Sequence, residues 1–150
     1  MVVKINSMGI YGIEAYAVCV ETDISRGLPG FEIVGLPGIA VKESRDRVRS
    51  AIKNSGFTFP SQRITVNLAP ANIKKAGALY DLPILVSILT SMGALTNTFD
   101  DAVFIGELSL SGELRPINGV LPMAIEAKIL VLSVYSFHST MPQRVLLLME

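Results

Sequence analysis

Apolar and polar positions change period several times along this 150-residue chain, and each change marks an element. Residues 2–7 read as a short strand. Residues 13–22 alternate and then thicken with β-branched and aromatic side chains, which predicts a strand buried on both faces. Gly27, Pro29 and Gly30 break the chain, residues 31–36 form a further short strand, and Pro37-Gly38 ends it. Over residues 39–55 the period becomes helical, with Val41, Val48 and Ile52 on one stripe and Gly56 where a left-handed cap is wanted. Residues 63–68 alternate again: Ile64, Val66 and Leu68 share one face and Thr65 and Asn67 the other, as in a half-buried strand.

A loop over residues 69–77 leads to Asp81 as a helix N-cap, with Pro83 in the first turn and an apolar helix running to Met92 before Gly93 stops it. That helix is apolar nearly all round, which places it at the centre of the core. Residues 106–114 predict a β-hairpin turning at Ser111-Gly112, with Leu108 and Leu110 on one face, Leu114 on the return arm, and Pro116 limiting the second strand. Pro122 starts a third helix through Lys128. Strands, helix, strand, helix, hairpin, helix in that order predict an α+β (α/β) domain, a mixed sheet with helices packed against it. Any parallel crossover should be right-handed. No internal repeat or low-complexity linker is visible.

Residues 129–150 form an atypical tail, apolar and almost uncharged, whose first half is suited to add a strand to the sheet. Without a partner such a run is an aggregation hazard. His138 stands alone in it and is read as a histidine with no ligand role.

Composition narrows the function classes. With 50% of its residues apolar, the chain is long enough for one domain that buries roughly two thirds of its unfolded surface, and too short for two. Thirteen basic residues balance thirteen acidic ones, so binding to nucleic acid or an anionic membrane requires a local patch. The single cysteine, Cys19, lies in an apolar run, which excludes a disulfide framework, fits a reducing cytosol and offers no cationic neighbour to activate the thiol. The start lacks a basic region ahead of a long apolar core, and no apolar stretch reaches the roughly 20 residues that a bilayer requires. A soluble, cytoplasmic chain is expected.

Three groups of residues bear on chemistry. Lys42, Arg45, Arg49 and Lys53 fall at helical spacing on one side of the 39–55 helix, with Arg47 elsewhere on the surface. Such a row can meet the phosphates of a nucleic acid; about four contacts would give a log affinity falling with log salt at a slope near −3 to −4. Equally, Glu43 and Asp46 can pair with these cations and leave an ordinary solvated face. Lys74 and Lys75, with Arg63 and the following helix start, suit an anion, although no glycine-rich cradle is present and Asp81 would repel a phosphate. A structural loop is the alternative. Asp100, Asp101, Glu107 and Glu113 match neither a calcium loop nor a paired-carboxylate hydrolase, and one histidine with one cysteine makes no usual zinc site. The absence of a Gly-x-x-x-x-Gly-Lys-Ser/Thr run means that these residues hold no phosphate-binding loop for ATP.

Several segments together carry a resemblance. Residues 27–38 (Gly-Leu-Pro-Gly-Phe-Glu-Ile-Val-Gly-Leu-Pro-Gly), the helix 41–52, the strand and loop 63–71, residues 77–83 and the hairpin 106–120 resemble the amino-terminal Lon-protease-like (ChlI-type) domain of the ComM/YifB family of magnesium-chelatase-like AAA+ ATPases. The resemblance covers residues 1–128; beyond it the tail departs from the family pattern, as a truncated or frame-altered sequence would. It implies the ribosomal protein S5 domain 2-like fold shared with Lon proteolytic domains. It also implies a following ATPase module that binds ATP and Mg, assembly into a hexamer, and ATP-driven branch migration on DNA during uptake and recombination. No cofactor is expected in these 150 residues.

Proteolytic relatives of this domain carry a Ser-Lys dyad. Their serine, in a Gly-Pro-Ser-Ala-Gly-like segment opening a helix, corresponds to about Asp81 here; their lysine, in a Gly-Gly-Leu-Lys-like segment, corresponds to Leu121. A hydroxyl without a base of lowered pKa is a weak nucleophile, so both halves of the mechanism are lost together. The expectation is a non-catalytic accessory domain with DNA and the parent ATPase module as partners, or an oligomerisation or partner-binding module of a chelatase-like motor with no nucleic-acid contact.

Overall fold

The computed structural model describes residues 1–130 and the backbone of residues 133–135. Strand β1 (Val3–Tyr11) turns at Gly12 and Ile13 into β2 (Glu14–Ser25), and the two pair antiparallel from Val3 opposite Thr22 to Tyr11 opposite Glu14. Gly12, at φ +64°, supplies the left-handed backbone that a two-residue hairpin needs. After β3 (Gly30–Val34) come α1 (Ile39–Lys42), α2 (Ser44–Asn54) and β4 (Arg63–Ala69). Next are α3 (Asp81–Ser91), β5 (Ala102–Phe104), β6 (Glu107–Leu108), β7 (Leu114–Arg115), α4 (Val120–Ile129) and β8 (Ser133–Tyr135).

Six strands form one sheet in the order β3-β4-β2-β1-β5-β8. The β1–β2 and β2–β4 pairs are antiparallel, whereas β3–β4, β1–β5 and β5–β8 are parallel. This is the mixed sheet of an α+β domain. Period-2 alternation sorts its side chains: Val3 and Ile5, Val18 and Val20, and Ile64, Val66 and Leu68 face the layer of α2 and α3. Met8, Val103 and Ile105, of opposite parity, pack under α4 with Met123 and Ala127. Helix α3 is buried almost all round, as its composition predicts, and each of its leucines and isoleucines contributes about 1.5–3 kcal/mol of burial.

The local expectations need four corrections. Residues 39–55 are two helices, because the Asp46 N–H reaches back three residues to the Glu43 carbonyl (3.1 Å) and restarts the ladder. Strand β2 buries Val18, Val20 and Thr22 on one face only; Ala17 on the other is exposed and Cys19 half-buried. The β6–β7 hairpin closes through residues 109–113, not a two-residue turn. Ser109 N–H donates to the Glu113 carbonyl at 2.9 Å and Gly112 N–H to the Ser109 carbonyl at 3.0 Å, and this wider loop leaves Leu110 exposed. Helix α4 starts at Val120 behind a left-handed Gly119, two residues before Pro122. The strand suggested for the first half of the tail is β8, beside β5. Residues 131–132 and 136–150, His138 among them, lie outside the described residues.

Candidate functional site

The position that the Lon resemblance assigns to a nucleophile holds a closed ion pair. Asp81 is fully buried at the start of α3 and does not cap it: the cap position is Tyr80, and no side chain fills that role. Its carboxylate accepts Arg47 Nε at 2.6 Å on Oδ2 and an Arg47 terminal nitrogen at 3.1 Å on Oδ1, a two-pronged match of guanidinium to carboxylate. Oδ2 also accepts the Leu108 N–H at 3.1 Å, which ties in the hairpin. Arg47, expected elsewhere on the surface, is only 20% exposed; it donates further to the Ala40 carbonyl at 2.9 Å and lies 3.7 Å from Glu43. The Asp81 hydrogen bond raises its pKa, against the opposing effect of burial, so the charge is permanent. Ser44, Arg47, Val48 and Ala51 recur at helical spacing, and that spacing was the available signal that Arg47 faces inward.

A carboxylate held in this way presents no free face to a substrate. Leu121, which the resemblance sets opposite the dyad lysine, is 71% exposed and has no group to take a proton. Ser87, the next serine, donates to the Ile84 carbonyl at 2.8 Å and shares a hydrogen bond with the Thr22 hydroxyl at 2.6 Å, deep in the core. The buried amine of the chain, Lys75, meets two carbonyls, Gly35 (3.0 Å) and Pro70. Among the described residues no hydroxyl pairs with it. Tyr80 meets Tyr16, and burial first, then that hydrogen bond, pushes the Tyr80 hydroxyl pKa up. Their approach requires Gly9, since a Cβ there would stand 2.5 Å from the Tyr80 hydroxyl.

The lysine pair does not assemble an anion site. Lys75 is wholly buried, because Pro37 bridges to it through the backbone and its N–H reaches the Leu36 carbonyl at 3.0 Å; only Lys74 remains exposed. Burial lowers the Lys75 pKa. Arg63, expected beside the pair, instead meets Glu32 at 3.6 Å. Asp100 and Asp101 are exposed ahead of β5, and among the described residues no three His, Cys, Asp or Glu side chains converge to hold a metal. Burial, then Glu21, raises the Cys19 pKa against the pull of Lys4. None of the described helices is long and apolar enough to cross a membrane.

The basic row survives, with a feature the periodicity did not reveal. Lys42, Arg45, Arg49 and Lys53 are all exposed. Arg45 Nε donates to the Lys42 carbonyl at 3.2 Å. The Arg49 guanidinium lies over the Phe59 ring, 5.0 Å from its centroid, and Phe59 in turn sits 5.8 Å from Phe31. Arg49, Lys53, Phe59, Pro29, Pro60 and Gln62 line a cleft of about 280 Å³. Glu43, which could have neutralised the row, is turned to Arg47. Among the described residues Arg49 and Lys53 have no acidic partner within 4.0 Å and donate no hydrogen bond. Phe59 was legible only as an aromatic beside a proline after the helix.

Comparison with known proteins adds the lineage. A family model described as subunit ChlI of Mg-chelatase matches residues 20–133. YifB of Escherichia coli (strain K12) is 48% identical over 124 residues, which cover 82% of this chain and 24% of that protein. Competence protein ComM of Haemophilus influenzae is 44% identical over 125 residues, 83% of this chain and 25% of its own length. The chain thus spans about a quarter of the curated relatives it matches. On these matches the chain belongs to the ChlI family of magnesium-chelatase-related proteins, in the group that contains YifB and ComM.

Proposed function

We propose that this chain is a non-catalytic accessory domain of a ComM-like AAA+ ATPase that acts on DNA, with branch migration in transformation and recombination as the reaction of the whole protein. The observation that carries the non-catalytic half is Asp81, buried and saturated by Arg47 and the Leu108 N–H where a protease would hold its nucleophile. The DNA half rests on the cations Lys42 of α1 and Arg45, Arg49 and Lys53 of α2, unpaired with any acid among the described residues, and agrees with the name of the competence relative. ATP and Mg would be bound by the ATPase module of such a protein, its hexameric assembly would set the neighbours of this domain, and its compartment would be the cytoplasm.

Two measurements test this reading. A fluorogenic peptide panel should show no turnover; turnover blocked by a serine-directed reagent would end the non-catalytic half. Single-stranded oligonucleotide binding across a salt series should give a slope of log affinity against log salt of about −3, as four phosphate contacts require. A slope near zero, or no binding at low salt, would remove the DNA half.

One observation favours the alternative of an oligomerisation module. Leu121, Ile125 and Ile129 recur every four residues along α4 and are 71%, 54% and 68% exposed, an apolar stripe of the kind that packs against a neighbour. Sedimentation with and without oligonucleotide separates the two readings: self-association without any DNA response favours the stripe.

A further inference from the structure

We propose that the cleft beside Arg49 receives one nucleotide of a single strand, with the base stacked on the solvent-facing side of the Arg49 guanidinium and the adjoining phosphate at Lys53. This rests on the DNA reading above and adds what that reading lacks, a place where bases and not only charges are sensed.

The cations of the row differ in what they touch. Arg45 spends a donor on the Lys42 carbonyl and lies against backbone, whereas every Arg49 donor is free of protein acceptors among the described residues. The Arg49 guanidinium is seated over the Phe59 ring, an arrangement that fixes a long side chain and reduces the ordering cost of binding. Arg49 is exposed, so the side of the group away from Phe59 is available to solvent and to a ligand. Planar guanidinium groups stack on nucleobases, and every base offers such a face whatever its sequence. Lys53 stands one helical turn further on, about 5–6 Å away at Cβ, as a compact charge for the neighbouring phosphate.

The walls suit that guest. Pro29 and Pro60 give apolar contact and Gln62 offers an amide to a base edge, whichever base is present. A cleft of about 280 Å³ lies at the lower limit of ordinary ligand pockets, roughly 300–1,000 Å³, so it accepts one base with part of its sugar and not a whole dinucleotide. An acidic polypeptide would satisfy the charges but leave the guanidinium plane and the proline walls unused.

The test measures equilibrium binding of fluorescein-labelled oligothymidylate, an abasic strand of equal length, and polyglutamate to the 150-residue chain. Wild type should prefer oligothymidylate over the abasic strand by about fivefold or more, the effect of one stacked base. Arg49→Lys, which keeps the charge and loses the plane, should abolish that preference while leaving the melting temperature unchanged. Phe59→Leu should reduce it by freeing the arginine. If wild type binds both strands equally, or Arg49→Lys keeps the preference, the base slot is wrong although the DNA reading stands. If neither strand binds, the DNA reading itself falls and the slot with it. Tighter binding of polyglutamate than of either strand would overturn the proposal in favour of an acidic protein partner.

Discussion

Arg47 and Arg49 stand two residues apart on α2, and their surroundings give the same side chain opposite work. Arg47 points inward, where Asp81, the Ala40 carbonyl and Glu43 absorb its charge and the Leu108 N–H completes the carboxylate. Arg49 points outward over Phe59, with no acid in reach among the described residues. The lesson is that a cation on a helix is structural or available according to which side of the apolar stripe it falls on, and a 100° step per residue is enough to change its role.

The largest effect should come from breaking the inward side. Arg47→Ala leaves Asp81 buried with one backbone partner, and removal of one member of such a pair costs about 3–5 kcal/mol. Urea unfolding measures it; a loss below about 1 kcal/mol would mean that the pair is idle. Lys75→Met should cost less, about 1–3 kcal/mol, by stranding the Gly35 and Pro70 carbonyls. The wild-type advantage over Lys75→Met should also depend on pH. Burial lowers the Lys75 pKa below its ordinary 10.5, so between the two values the unfolded chain holds more protons than the folded one. That advantage therefore grows as pH rises from the lowered value toward 10.5 and is constant below the lowered value. Urea midpoints of the two proteins from pH 8 upward check the sign.

Smaller still is the hairpin tip on the inward side of α2. Gly112, at φ +87°, would place a Cβ 2.6 Å from Ser55 Oγ and 3.3 Å from the Ala51 carbonyl, so Gly112→Ala should cost roughly 1–2 kcal/mol from the left-handed backbone alone. The outward side should be nearly silent: Arg49→Ala should change stability by no more than about 0.5–1 kcal/mol, the worth of an exposed cation–π contact, while weakening oligonucleotide binding. If Arg49→Ala destabilises as much as Arg47→Ala, the division between the two sides is wrong.

Element types were largely legible, because α3 is apolar all round, β4 alternates cleanly and Gly93 stops a helix, all of which are local patterns. What escaped was set by partners distant in sequence. Asp81 reads as a cap from its neighbours, and only the fold brings Arg47, 34 residues away, onto it. Lys74 and Lys75 are identical in sequence terms, yet the backbone bridge to Pro37 buries one and leaves the other exposed. The outward row was legible as a charge pattern; the aromatic beneath Arg49 was not, since Phe59 follows the helix and returns to it only in three dimensions.

One helix thus divides its arginines between holding the fold and meeting a ligand. Arginine side-chain NMR, following the Nε–Hε signals of Arg47 and Arg49 while oligothymidylate is titrated into the protein, reads this division residue by residue. The Arg49 signal should shift in a saturable way and the Arg47 signal should stay in place; movement of Arg47 with Arg49 unmoved would show that the helix is not divided in this way.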